Sequence, residues 1–118
     1  MTINKKIDGI LNGKISIGNS KLRAHFYHNF NKGEKSWFTY YSTSEIPAFS
    51  ADDTVKDSEI NVTVTIFSQS NILSAFEQMK AKMRASGFIW TGDSSDMFDP
   101  DTEYFQKSAM FVISKGEI

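Results

Sequence analysis

The run from Ile60 to Gly87 leaves this chain few ways to fold. Ile60, Val62, Val64 and Ile66 alternate with Asn61, Thr63 and Thr65. Period-two alternation in β-branched residues predicts a strand with one buried face. Ser68 to Ser70 breaks the pattern and offers an N-cap for a helix. Ile72, Ala75, Phe76, Met79 and Met83 then recur three and four apart, which predicts a helix over 71–86 with one apolar face. Lys80, Lys82 and Arg84 come late, where the helix dipole favours cations, and Gly87 suits the stop. None of these residues names a chemistry.

The rest of the chain is read around that unit. Ile3, Ile7, Ile10 and Leu11 predict a helix near 3–12 that Gly13 can end, although Gly9 inside it costs about 1 kcal/mol relative to Ala. Residues 14–21 read as a connection with a brief extended piece at Ile15 and Ile17. Leu22, Ala24, Phe26, His28 and Phe30 share strand parity, so 22–30 is predicted as a strand, followed by a turn at Asn31 to Glu34. Trp37 to Ser42 has strand propensity and is expected to pair antiparallel with 58–67. Between them, Thr43 to Lys56 reads as a long connector. Phe88 to Thr91 is predicted as a short strand, Gly92 to Glu103 as an acidic loop, and Tyr104 to Ser114 as the last strand. Phe105, Ala109, Phe111 and Ile113 share one face of it. The order α-β-β-β-α-β-β predicts an α+β fold: an antiparallel four- to five-stranded sheet with helices on one face. With 118 residues and no internal repeat, a single domain over 1–118 is expected.

Reactive chemistry is sparse. The chain has no cysteine, which excludes disulfides, thiolate metal sites and a cysteine nucleophile. The N-terminus is too polar for a secretory segment, so a reducing cytoplasm is expected. His25 and His28 fall on opposite faces of a strand, which is wrong for joint ligation. Asp93, Asp96, Asp99, Asp101 and Glu103 invite a calcium reading. Met97 and Phe98, however, stand where such a loop needs an oxygen ligand and a glycine. Asp99 to Thr102, around Pro100, reads more simply as a solvated turn. No catalytic residue, cofactor or metal is expected.

Charge is unevenly spread. Residues 1–35 carry seven bases against two acids, and the remainder carries six bases against twelve acids. Such a split fits a nucleic-acid face, a head-to-tail self-association, or simply two solvated halves. Tyr27, Phe30, Trp37, Phe38, Tyr40 and Tyr41 lie among Lys21, Arg23, Lys32 and Lys35, so a small nucleic-acid-binding module is one alternative.

From residue 22 onward the order and spacing of five segments resemble one known family. The segments are RAHFYHNFNKGE, SWFTYYSTSEIPAFSADD, SEINVTVTIFSQS, NILSAFEQMKAKMRASGF and DPDTEYFQKSAMFV. They resemble the tail-completion, or head–tail joining, proteins of long-tailed phages and prophages. Family members often place Arg in the final strand, where this chain has Met110 and Val112. The resemblance implies a non-enzymatic, tail-terminator-like virion protein made in the host cytoplasm. It would form a ring, commonly six-fold, at the head-proximal end of the tail. Its expected partners are further copies of itself, the tail tube protein and the head connector protein. No membrane is expected, and no nucleic acid beyond DNA passing through the ring.

The connector 43–56 is apolar for a loop, and long loops in compact domains are often functional. Ile46, Pro47 and Phe49, with Asp52 and Asp53 beyond them, are therefore the expected subunit-interface residues. Two readings stand: Phe49 folds back over the sheet edge, or the arm packs on a neighbouring subunit.

Overall fold

The computed structural model describes residues 3–26, 36–49 and 55–114, with 43–49 and 55–58 described by backbone alone. The elements run α1 (Ile3–Leu11), β1 (Ser16–Ile17), β2 (Ser20–Lys21), β3 (Arg23–Phe26), β4 (Ser36–Phe49), β5 (Val55–Ser68), α2 (Leu73–Ala85), β6 (Ile89–Asp93), β7 (Met97–Asp99) and β8 (Tyr104–Ser114). The architecture is α+β.

β5 is the spine of the sheet. Its alternation buries Val62, Val64 and Ile66 on one face. Neighbouring rungs continue that row. Phe38 lies opposite Ile66, and Tyr40 opposite Val64. Across the other side, Ala109 lies opposite Val64, Phe111 opposite Val62 and Ile113 opposite Ile60. Ile7 and Leu11 of α1 join this face, as do Ala75, Phe76, Met79 and Met83 of α2. Both helices thus cover one side of the sheet and share one core. No helix among the described residues is long and apolar enough to cross a membrane.

The sheet itself departs from the expected antiparallel one of four to five strands. It has six strands in the order β3-β4-β5-β8-β6, with β7 also on β8, and β1–β2 form a separate small hairpin. Its orientation is mixed, because β3 runs parallel to β4 with Ala24 beside Phe38 and Phe26 beside Tyr40. Period-two parity says which residues share a face but not which way a neighbouring strand runs. Both directions set Ala24 and Phe26 on one face, where Ala24 is buried and Phe26 is half exposed. The expected turn at Asn31 to Glu34 and the end of the 22–30 strand, 27–30, lie outside the described residues. The order gains strands as well: β1 and β2 where a connection was expected, and β7 inside the acidic loop.

The long connector is also corrected. β4 continues to Phe49 and β5 starts at Val55, so only 50–54 joins them. The ladder passes an irregularity between Ser42 and Glu45, where two residues of β4 oppose Asn61 alone. Such a bulge breaks the alternation that a sequence reading relies on. Pro47 sits in β4 opposite Ser58. Proline is tolerated there because no further strand pairs with that stretch among the described residues.

The ends of α2 show one correction and one agreement. Ser68 to Ser70 does not cap it. The N-cap position is Ile72, with no side-chain bond, and Asn71 Oδ1 instead accepts from the Leu73 N–H at 2.9 Å. Ser68 is occupied with the Ser36 hydroxyl and the Ser70 N–H. At the other end the Phe88 N–H donates to Met83 O and the Gly87 N–H to Arg84 O, with Gly87 at φ 98°. This is a Schellman stop, with buried Phe88 and Met83 as its apolar pair.

Candidate functional site

The expected interface residues fall on the outer half of the β4–β5 hairpin. Ile46, Pro47 and Phe49 are backbone partners of Glu59, Ser58 and Val55. Asp52 and Asp53 lie outside the described residues. Among the described residues, the last β5–β8 rung is Glu59 opposite Ser114. Beyond that rung, β4 and β5 pair only with each other among the described residues, as a two-stranded ribbon out to Phe49 and Val55. At roughly 3.3 Å per residue its length from Ile46 is about 10–13 Å. The Cα envelope is correspondingly long, 52 × 26 × 23 Å.

At the other end of β5 is an apolar groove of about 490 Å³, lined by Ile72, Leu73, Phe76, Met97, Phe105 and Lys107 among others. It forms because β5 turns directly into α2, leaving the first helical turn over the start of β8. Leu73 is 61% exposed, Phe98 packs against Phe105 at 4.8 Å, and both of these rings are exposed. Phe105 therefore shares parity with Ala109 and Phe111 without sharing their burial. Sequence reasoning passed over Leu73, although it lies off the helix's apolar stripe. An apolar residue on a polar helical face is the signal that could have found it.

Two lysines bracket the groove's floor. Lys80 Nζ sits 5.0 Å from the Phe76 ring centroid and Lys107 Nζ sits 5.1 Å from it. Lys80 also lies 5.0 Å from the Trp90 ring and 3.2 Å from both Asp93 and Glu77. Trp90 Nε1–H donates to the other Asp93 oxygen at 2.8 Å. Burial disfavours the Lys80 ammonium, but the hydrogen bonds and charges of Asp93 and Glu77 outweigh it and leave its pKa above the ordinary lysine value. Lys107 pairs with Asp96 at 2.8 Å. On the α1 side, burial, then the Asp8 carboxylate and its hydrogen bond, raise the Tyr40 phenol above its ordinary value.

These contacts occupy part of the acidic stretch 93–103. Asp93 and Asp96 face lysines, and Asp99 Oδ1 accepts from the Asp101 N–H to hold the β7–β8 turn. Among the described residues no group of three or more His, Asp or Glu could hold a metal ion. His25 lies on β3, and His28 falls outside the described residues. Of the six aromatics weighed as a stacking platform, Trp37, Phe38 and Tyr40 are buried. Trp37 stacks on Phe67 at 5.2 Å and meets Tyr104 edge-on at 5.3 Å. Tyr41 is half-buried; Tyr27, Phe30, Lys32 and Lys35 lie outside the described residues.

Among the described residues the surface carries a two-stranded ribbon at one end, an apolar groove at the other and the exposed rings of Phe26 and Trp90. No protein-family model matches the chain, and no curated protein matches it either.

Proposed function

We propose that this protein is a structural, non-enzymatic phage component of the tail-completion, terminator-like kind. It forms a ring of copies, six-fold on the tail, at the head-proximal end. There it meets the tail tube protein on one rim and the head connector protein on the other. The ring stops tail polymerisation, passes DNA through its centre and stays in the virion. The observation that carries the reading is the β4–β5 ribbon, which continues past the last β8 rung among the described residues. A strand pair of this length can reach a neighbour. The segment resemblance from residue 22 onward supports it further.

Phe49→Asp tests the reading. The expected result is a monomer whose melting temperature is within a degree or two of the parent and which no longer assembles on tail tubes. A variant that melts far below the parent overturns the arm's assembly role. A wild-type protein that leaves tail length uncontrolled in an assembly reaction overturns the terminator function.

A further inference from the structure

The two lateral edges of the sheet carry opposite charge. On one side β3 is the terminal strand, and the segment after α1 lies along it. Asn12 Oδ1 accepts from the Ala24 N–H at 3.2 Å, and the Leu22 N–H donates to Ile15 O at 2.8 Å. With its backbone partly covered, this edge presents side chains. Lys14 lies by Lys82, Ala85 and Ser86 at the end of α2, whereas Lys21 and Arg23 are exposed and form no ion pair among the described residues. Phe26, beside them, is 50% exposed.

On the other side β6 and β7 share the outer flank of β8. Asp99, Asp101 and Glu103 are exposed here and likewise form no ion pair among the described residues. Ile89, Trp90, Met97 and Phe98 are also exposed on these two strands. Four strand spacings of about 4.8 Å put the edges roughly 19 Å apart. That exceeds a Debye length of about 8 Å, so the two sets do not neutralise each other within one protomer.

We infer that the basic β3 edge of one copy docks on the acidic β6–β7 edge of the next. The inference rests on the ring reading above and assigns its subunit contact. The occupant is a second copy because each edge supplies what the other lacks: unpaired cations on one and unpaired carboxylates on the other, with exposed apolar side chains on both. A nucleic acid would engage only the basic edge and leave the β6–β7 surface bare. Contact between opposite edges of one sheet is heterologous, the type that closes into a ring when its rotation allows. β7 is three residues long and β6 has a register shift between Trp90 and Gly92, so neither offers a long flat edge for backbone pairing. The contact is therefore made by side chains, with charge setting register and encounter rate and the apolar groups setting lifetime.

Edge-reversal variants of the full chain test it. Lys21→Glu with Arg23→Glu reverses one edge, and Asp101→Lys with Glu103→Lys reverses the other. Asp99 is left in place because it holds the turn. Circular dichroism melts check that both variants fold. Sedimentation velocity at low salt is expected to show wild-type association that weakens at least about tenfold in either variant and recovers in an equimolar mixture of the two. A wild type that stays monomeric at every concentration, or association untouched by both reversals, overturns the edge contact. Closed oligomers insensitive to the reversals leave the ring reading standing without these edges. Oligomers that respond to the reversals but grow without limit support the edges and overturn the ring.

Discussion

Truncating Phe76 to alanine should cost about 4 kcal/mol, and the sum can be built from its surroundings. Phe76 is 1% exposed, and phenylalanine-to-alanine changes at such positions cost about 3–5 kcal/mol. It also forms the floor of the groove between α2 and the start of β8. Truncation there deepens a groove already open to solvent and seals no new void. That pulls the packing loss toward about 3 kcal/mol. The ring has a second role, because Lys80 and Lys107 both stand about 5 Å from its centroid. Each cation–π contact at a partly exposed site adds about 0.5–1 kcal/mol, which restores the total to about 4.

A chain of 118 residues has about 6–15 kcal/mol of stability in all, so the variant should fold with a much lower urea midpoint. Unfolding followed by tryptophan emission, with an unchanged denaturant slope, gives the difference directly. Phe76→Leu retains most of the apolar volume but has no π face, so pairing it with Lys80→Met isolates the cation contact. The cycle should return a coupling of about 0.5–1 kcal/mol. A loss below about 2 kcal/mol for the alanine variant, or a coupling of zero, would refute this account of the groove floor.

Gly87→Ala should lose about 1–2 kcal/mol in the same assay, a purely conformational cost at φ 98°, since a Cβ there meets no atom within 4 Å. Glu103 holds φ 61° in the β7–β8 turn, so Glu103→Gly should raise stability by about 0.5–1 kcal/mol; a drop would reveal a contact of the carboxylate that outweighs the strain. Tyr40 and Lys80 both have folded pKa values above their ordinary ones. The folded state therefore keeps these protons longer than the unfolded chain, and their contribution is intact below about pH 10 and lost as pH rises beyond it. Thermal melts should be flat from neutral pH to about pH 10 and then fall. Tyr40→Phe should flatten part of that fall, and an unchanged alkaline limb would count against the Asp8–Tyr40 pairing.

Much of the helix side of the fold is legible in the sequence, and the reason is periodicity. Val62, Val64 and Ile66 with Ala75, Phe76, Met79 and Met83 announce two elements that must bury one face each, and all seven are buried. Tyr104–Ser114 is a strand with the expected ends, and Gly87 stops α2 as its type requires. Strand direction is not written in parity, which is why β3 beside β4 came out parallel. Short edge strands such as β7, with three residues, have no period to detect. Ile46, Pro47 and Phe49, which read in the sequence as an apolar loop, are strand backbone. The exposed Ile89 and Trp90 are hidden in the sequence for the opposite reason. A hydrophobic residue in a strand reads as core until the structure shows that the strand lies at the edge.

The ribbon's irregularities bear on how an arm of the proposed kind would avoid unwanted pairing. A two-stranded ribbon presents unpaired backbone groups on both margins and is a template for indiscriminate pairing. Here the β4–β5 ladder is interrupted twice. Between Ser42 and Glu45 the extra residue lies on β4; between Ala48 and Phe49 it lies on β5, at Lys56. Each bulge bends and twists the ribbon and breaks the run of evenly spaced donors and acceptors. Because one falls on each strand, the two offsets cancel and both strands are 14 residues long. The longest unbroken stretch beyond the first bulge is Glu45–Ala48, and it contains Pro47, which has no N–H to offer. An arm built this way resists adding strands at random. It leaves subunit contact to be specified by side chains, which is also how the capped β3 edge and the short β6–β7 edge would meet.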